Sequence, residues 1–158
     1  ANAIAPHWAP QMVSVGVDLK SNESGKVPWE GNNFPYPIFV AIEGTPDDLA
    51  YGLTKAVMEN FDQIKDSGPS MGGYQISKQN LKWIFPYHPG SIKYFKEKGL
   101  WTDEHDQHNA GLLKRQEILA DAWSKVDQNL SDEEFEAAWK KARAAALDAA
   151  GMSVPFRD

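Results

Sequence analysis

The densest group of polar side chains in this sequence is the run from Asp103 to Asn109, Asp-Glu-His-Asp-Gln-His-Asn. His105 and His108 lie three residues apart, so on a helix they face similar directions. Imidazole nitrogens with a nearby carboxylate are ligands that divalent metals accept. Acidic residues are also expected at a helix start, where they stabilise its positive end. Because no third ligand is indicated, we favour an exposed first helical turn and keep a metal-dependent site as the alternative.

Aromatic and amide side chains on a segment rich in Pro and Gly form a second group. Aromatic residues on such a connector either line a surface for a ligand or partner or act as pegs that hold the loop on the core. Trp8 follows His7, and a His beside a Trp can orient a carboxylate ligand, although a frayed N-terminus is the other interpretation. From the residues alone, pegs that hold the loop on the core are the favoured interpretation of Trp29, Phe34 and Tyr36.

Signatures of catalysis are missing from the sequence. It has no Gly-x-Ser-x-Gly, no phosphate-binding loop, no Gly-x-Gly-x-x-Gly and no cysteine. Serine, histidine and aspartate occur, but no spacing distinguishes a catalytic triad. We therefore predict that the protein is not an enzyme and that it has no catalytic residue, bound metal or cofactor.

Composition narrows the class of protein further. The chain has 158 residues, of which 42% are hydrophobic, so it can bury a core as one domain. Its formal net charge of −6 argues against nucleic acid as a partner, because phosphate binding requires a basic surface. The absence of cysteine excludes a disulfide framework. No apolar run is long enough to cross a membrane.

Two stretches have the pattern of strands. Residues 12–19 alternate apolar and polar or small side chains. Residues 36–43, which are apolar as far as Ile42 and end at Glu43, have the pattern of a buried strand. A helix over 47–65 is expected to follow, with Thr45 as N-cap and Pro46 at its first position. Its apolar side is predicted to include Leu49 and Leu53.

The rest of the chain reads as helical. We predict a short helix over 78–84, a helix over 89–98 that starts at Pro89, a long helix capped by Thr102, and a last helix over 132–150. Ser131 and Glu134 form the capping box of the last helix. The fold class is thus α/β with an α+β appearance. The strands are too few to complete a sheet, so further strands are expected from outside the chain.

Two motifs resemble a known family. The first is the helix Leu53-Thr54-Lys55-Ala56-Val57-Met58-Glu59-Asn60-Phe61. The second, about 30 residues later, is His88-Pro89-Gly90-Ser91-Ile92-Lys93-Tyr94-Phe95-Lys96-Glu97-Lys98-Gly99. Together they resemble the C-terminal region of the TAXI family of extracytoplasmic solute-binding proteins, which serve TRAP-type transporters. The resemblance covers roughly residues 35–100.

The resemblance implies a periplasmic receptor with two lobes that close around a small, commonly anionic, organic solute such as an amino acid or carboxylate and then contact membrane permease subunits. This chain would supply part of one lobe, and its connector would pass near the hinge and the cleft. On that basis the candidate ligand-binding residues are Trp8, Trp29, Asn33, Phe34 and Tyr36. The missing N-terminal half would be a lost segment or a second chain. Three regions follow: a hinge-side connector over 1–37, the strand-helix part of the lobe over 38–100, and an all-helical C-terminal extension over 101–158.

A different class of function is compatible with the same residues. Trp101, Trp123 and Trp139 fall on the predicted helical part of the chain. A helical domain can use such tryptophans to bind another protein, because an indole buries a large apolar area at an interface. The alternative to a solute receptor is therefore a helical protein–protein interaction module without a small-molecule ligand.

Overall fold

The computed structural model of the chain describes residues 10–13, 29–32, 38–68, 71–155 and 157. Two short strands, β1 and β2, pair antiparallel with Pro10 opposite Asn32. Five α-helices and two short 3₁₀ helices follow. Their bounds are β1 Pro10–Val13, β2 Trp29–Asn32, α1 Asp47–Glu59, α2 Phe61–Ile64, the 3₁₀ helices Met71–Tyr74 and Ile76–Lys78, then α3 Pro89–Glu97, α4 Asp103–Ser124 and α5 Asp132–Ala149.

The expected α/β lobe is wrong, because the part of the chain that the structure describes is mainly helical. The β1–β2 pair is the only sheet within that part, and it is no parallel α/β sheet. Residues 38–43, predicted as a buried strand, are irregular and exposed. An apolar run becomes a buried strand only where neighbouring strands supply hydrogen bonds and cover.

Other element predictions had mixed outcomes. β1 includes positions 12 and 13 of the strand expected over 12–19, and positions 14–19 lie outside the described residues. The helix expected over 78–84 is wrong, since a 3₁₀ turn ends at Lys78 and irregular backbone follows. The long helix expected over 47–65 breaks at Asn60, whose backbone leaves the helical region at φ −104° and ψ 23°.

Helix starts follow the local chemistry of the sequence. Ser131 and Glu134 form the expected capping box of α5. Thr102 caps α4, with the His105 ring taking the place that a Glu or Gln usually has in such a box. Thr45 does not cap α1; its hydroxyl donates to the carbonyl of Ile42 at 2.8 Å, and Pro46 occupies the cap position.

The core of the first helical part is aromatic. Tyr94 and Phe95 on α3 are each 1% exposed and cluster with Trp101. Tyr87 packs edge-on against both Phe95 and Trp101, with ring centroids 5.7 Å and 5.4 Å away. Perpendicular aromatic pairs at this spacing add to the stabilisation from buried area. Tyr87 thus fixes the irregular backbone before α3 against Phe95 of α3 and against Trp101, which lies between α3 and α4.

α4 and α5 form an antiparallel helical hairpin at the C-terminal side. Leu147 is fully buried, and Trp123 packs edge-on against Phe135 and Trp139 near the turn between the helices. The segment after α5 lies back on the hairpin, because Arg115 donates to the carbonyl of Ser153 at 2.9 Å. None of the described helices is long and apolar enough to span a membrane.

Candidate functional site

The start of α3 is fixed by His88. Its Nδ1 accepts a hydrogen bond from the backbone N–H of Gly90 at 3.1 Å, which caps the helix. Its Nε2 lies 3.0 Å from the carbonyl oxygen of Thr45. A carbonyl only accepts, so Nε2 carries the hydrogen and the ring is in one neutral tautomer. His88 therefore ties the start of α3 to Thr45, two residues before the start of α1.

Gly90 marks the closest approach of α3 to α1. A Cβ built on Gly90 would lie 2.1 Å from the carbonyl oxygen of Asp47 and 2.8 Å from the backbone nitrogen of Tyr51. Real Cβ atoms do not approach backbone atoms so closely, so only glycine fits at this crossing. The Pro89-Gly90 pair thus begins α3 and also allows the two helices to touch.

Residues of the two motifs then pair across this crossing. The hydroxyls of Thr54 on α1 and Ser91 on α3 are 2.8 Å apart, and Thr54 also donates to the carbonyl of Ala50. Further along the crossing, the Lys98 ammonium lies 2.7 Å from a Glu59 carboxylate oxygen. This hydrogen bond lowers the pKa of Glu59 and raises that of Lys98. The two motifs are separated in the sequence, but their residues contact each other where α1 and α3 cross.

Tyr51 carries the exposed edge of the same contact. Its hydroxyl donates to Glu97 at 2.7 Å, and this hydrogen bond raises the pKa of Tyr51. The ammonium groups of Lys93 and Lys55 lie 4.7 Å and 5.9 Å from the centre of its ring, within cation–π range. Glu97 and Lys93 contact Tyr51 from α3, whereas Lys55 lies on α1 itself, so the contacts of Glu97 and Lys93 serve α1–α3 packing.

The polar run at the start of α4 has a structural use that sequence reasoning missed. His105 Nδ1 accepts from the Thr102 backbone N–H, and the His108 ring lies 2.7 Å from the carbonyl of Trp83. Asp106 accepts hydrogen bonds from Lys96 and from the Trp101 indole, which lower its pKa. Among the described residues no group of three His, Cys, Asp or Glu could hold a metal ion, which removes support for the alternative metal site.

Two further contacts join α4 to the segment before α3. Glu104 pairs with Lys82, and this hydrogen bond lowers the pKa of Glu104. Buried Asn109 accepts from the backbone N–H of Tyr87. The sequence contains one weak signal for the contact between Asn109 and Tyr87. Asn109 falls on the apolar side of a helix, and a buried amide needs a hydrogen-bond partner.

The predicted ligand-binding residues fall almost entirely outside the described residues. Trp29 has its backbone in β2, paired opposite Val13. Trp8, Asn33, Phe34 and Tyr36 lie in the ranges that the structure does not describe. Their grouping around a ligand therefore stays a prediction.

Just beyond those residues, the described chain resumes with an exposed apolar segment. Ile38, Phe39, Val40 and Ile42 are 37%, 59%, 77% and 80% exposed. The Phe39 ring packs on Tyr74 with centroids 5.2 Å apart, which gives the segment a fixed point. Neighbouring large apolar side chains exposed to this extent mark an interaction site more often than an inert surface.

Comparison with known proteins places the α1–α3 region in a family context. The sequence model of the NMT1-like family matches residues 36–99, which is fewer than half of the chain. This is a family of periplasmic solute-binding proteins. No curated protein and no solved structure matches the chain.

The matched range contains the whole α1–α3 contact and both motifs. At this level the match indicates a role in extracytoplasmic solute binding in general, with a small molecule and a transporter as the kinds of partner that such proteins have. Residues 101–158, with the α4–α5 hairpin, lie outside the matched range.

Proposed function

We propose that this chain is part of a periplasmic receptor of the TAXI type, which delivers a small organic acid or amino acid to the permease subunits of a TRAP-type transporter. The observation that supports it is the contact of the two motifs across α1 and α3, with Thr54 on Ser91 and Glu59 on Lys98, inside the range that matches the NMT1-like family. The motif residues define a rigid framework, and the solute contacts would come from elsewhere.

The proposed solute contacts are Trp8, Trp29, Asn33, Phe34 and Tyr36. An aromatic wall with one amide suits a small polar solute that has an apolar flank. In this proposal the chain has no catalytic role, and a second polypeptide segment contributes the rest of the ligand shell.

Thermal shift measurements with organic acids and amino acids test this function. A ligand that binds only the folded state stabilises it by about 2.7 kcal/mol at a concentration of 100 times Kd. We expect at least one carboxylate to raise the melting temperature, and we expect Trp29→Ala to abolish that rise. Trp123→Ala, which changes an exposed tryptophan on α4, is the matched control and should keep the rise.

Absence of any shift in the complete receptor, meaning this chain together with its complementary segment, would contradict the proposal.

A second candidate function has its own support. Trp123 is 45% exposed although it packs on Phe135 and Trp139, and the described chain is mainly helical. A protein-interaction module would respond to a partner protein and to none of the small acids.

A further inference from the structure

The exposed apolar segment 38–42 differs from an ordinary loop in composition and in exposure. It contains no polar or charged side chain, and consecutive large residues on both sides of the backbone face solvent. Val40 and Ile42 are 77% and 80% exposed, which leaves most of their apolar area in water. Removing apolar side chains from water is favourable, so covering this segment would favour association.

Helix α1 adds a second exposed apolar stripe close by in the chain. Its inner side uses Ala50 and Thr54, which face α3. Leu49 and Leu53, one turn apart and on a different side, are 62% and 44% exposed. The sequence pattern marks these two leucines as a side for burial, yet nothing among the described residues buries them.

The charged residues between positions 38 and 54, the part of the sequence that holds these apolar residues, all have one sign. Glu43, Asp47 and Asp48 are exposed and lie between the segment and the two leucines. No Lys or Arg occurs from position 38 to position 54. We call the combination of segment 38–42, Leu49 and Leu53 with these three carboxylates the apolar–acidic surface.

We propose that the apolar–acidic surface is a docking site for another polypeptide whose contact area is apolar and bordered by Lys or Arg. Complementary charge at the border gives specificity and speeds association, while the apolar centre supplies the binding energy. The inference uses only the described residues of this chain and does not depend on which solute is bound.

Charge also decides against other occupants. A second copy docked through the same surface would bring the three carboxylates of each copy together, in a chain whose net charge is already −6. An anionic lipid surface would meet the same repulsion. A basic border on a different protein removes both problems.

Fluorescence anisotropy with synthetic peptides tests the proposal. The probe is a labelled peptide of alternating valine and lysine. Two comparison peptides have serine in place of valine or glutamate in place of lysine. We expect the valine–lysine peptide to bind and the other two to bind at least about tenfold more weakly, because each lacks one of the two required features. Added salt should weaken binding, since it screens the border charges.

Matched variants locate the peptide on the chain. Val40→Asp and Leu53→Asp should each weaken binding about tenfold or more, and Asp48→Lys should weaken it as well. Leu113→Asp, at a leucine of α4 that is 47% exposed, and Glu133→Lys, in the first turn of α5, make the same chemical changes elsewhere and should leave binding unchanged. Circular dichroism shows whether each variant is folded. If either Val40→Asp or Leu53→Asp unfolds, the other one still tests the apolar part of the surface.

Three results would overturn the inference. Equal binding of the serine–lysine peptide would mean attraction by net charge alone. Equal loss of binding in the Leu113 and Glu133 variants would mean that no defined surface is involved. A concentration-dependent dimer that Val40→Asp abolishes, or binding to phosphatidylglycerol vesicles, would assign the surface to a second copy or to a membrane. Failure here leaves the solute-induced thermal shift unaffected, so the two proposals are tested separately.

Discussion

Asn109 on α4 accepts a hydrogen bond from the backbone N–H of Tyr87 at 2.7 Å, and Asn109 is 7% exposed. This bond joins the matched region to the hairpin that lies outside it. The Tyr87 hydroxyl donates to the carbonyl of Asn80 at 3.0 Å, so the irregular segment before α3 is held at two places. The hairpin is docked through polar groups as much as through apolar ones.

Replacing Asn109 tests this docking. Asn109→Ala leaves the Tyr87 N–H buried without an acceptor, and such a loss costs about 1 to 3 kcal/mol. We expect a decrease of that size in the free energy of unfolding, measured with urea. Gln116→Ala, at an exposed position of the same helix, is the control and should change stability by less than about 0.5 kcal/mol. Equal stability of the Asn109 variant and the wild type would contradict the assignment.

The contact between α1 and α3 predicts a strong effect at Gly90. Gly90→Ala must push the helices apart, because the new methyl group would overlap the Asp47 carbonyl. Such overpacking costs about 1 to 3 kcal/mol or more. Gly52→Ala, on α1 with open space around it, should instead stabilise the chain by about 0.5 to 1 kcal/mol. Chemical denaturation measures the change in the free energy of unfolding for both variants, which should be opposite in sign. An unchanged stability of Gly90→Ala would refute the close approach of the helices.

Acid should weaken the start of α4 through Asp106. Hydrogen bonds from Lys96 and Trp101 lower the folded-state pKa of Asp106 below its unfolded value of about 3.9. A depressed pKa gives stability that is present above the unfolded-state pKa and is lost as the pH falls through the folded-state pKa. Asp106→Asn should therefore reduce the loss of stability below pH about 4. Thermal unfolding across this range, followed by tryptophan fluorescence, measures the difference.

At high pH the protein should lose stability through Tyr87, whose pKa is raised rather than lowered by folding. Burial raises its pKa from 10.0 to about 12. The unfolded chain then ionises first, so stability is intact below pH about 10 and falls as the pH rises towards 12. Two units correspond to roughly 3 kcal/mol. Tyr87→Phe removes this dependence and keeps the ring. Ultraviolet titration of tyrosinate in the two proteins shows whether the last tyrosine to ionise is missing in the variant.

Local signals in the sequence predicted most helix starts correctly. Pro89 begins α3 and Ser131 caps α5, because a fixed φ and a capping hydroxyl act within one turn. Gly99 has φ +68°, as expected for a residue that ends a helix. Such features depend on a few neighbouring residues and need no knowledge of the rest of the chain.

Burial was the part that the sequence could not decide. Residues 38–42 have the composition of a central strand, but a strand needs hydrogen-bonding neighbours, and composition does not say where these are. Leu49 and Leu53 were expected on the buried side of α1, whereas Ala50 and Thr54 take that place, because Gly90 admits only a small-residue contact. The acidic and histidine residues at the start of α4 were interpreted as an exposed first turn with a metal site as the alternative, and their individual partners, such as Trp83 for His108, were not predicted.

The crossing at Gly90 also has a kinetic consequence. α1 ends at Glu59 and α3 begins at Pro89, so the chain must close a loop of roughly 30 residues before these helices can meet. Chain entropy resists that closure by about 3 kcal/mol, and the aromatic cluster around Tyr94 offsets it together with the Thr54–Ser91 and Glu59–Lys98 contacts. Shortening the stretch between α2 and the first 3₁₀ turn should thus accelerate folding more than it alters the folded state.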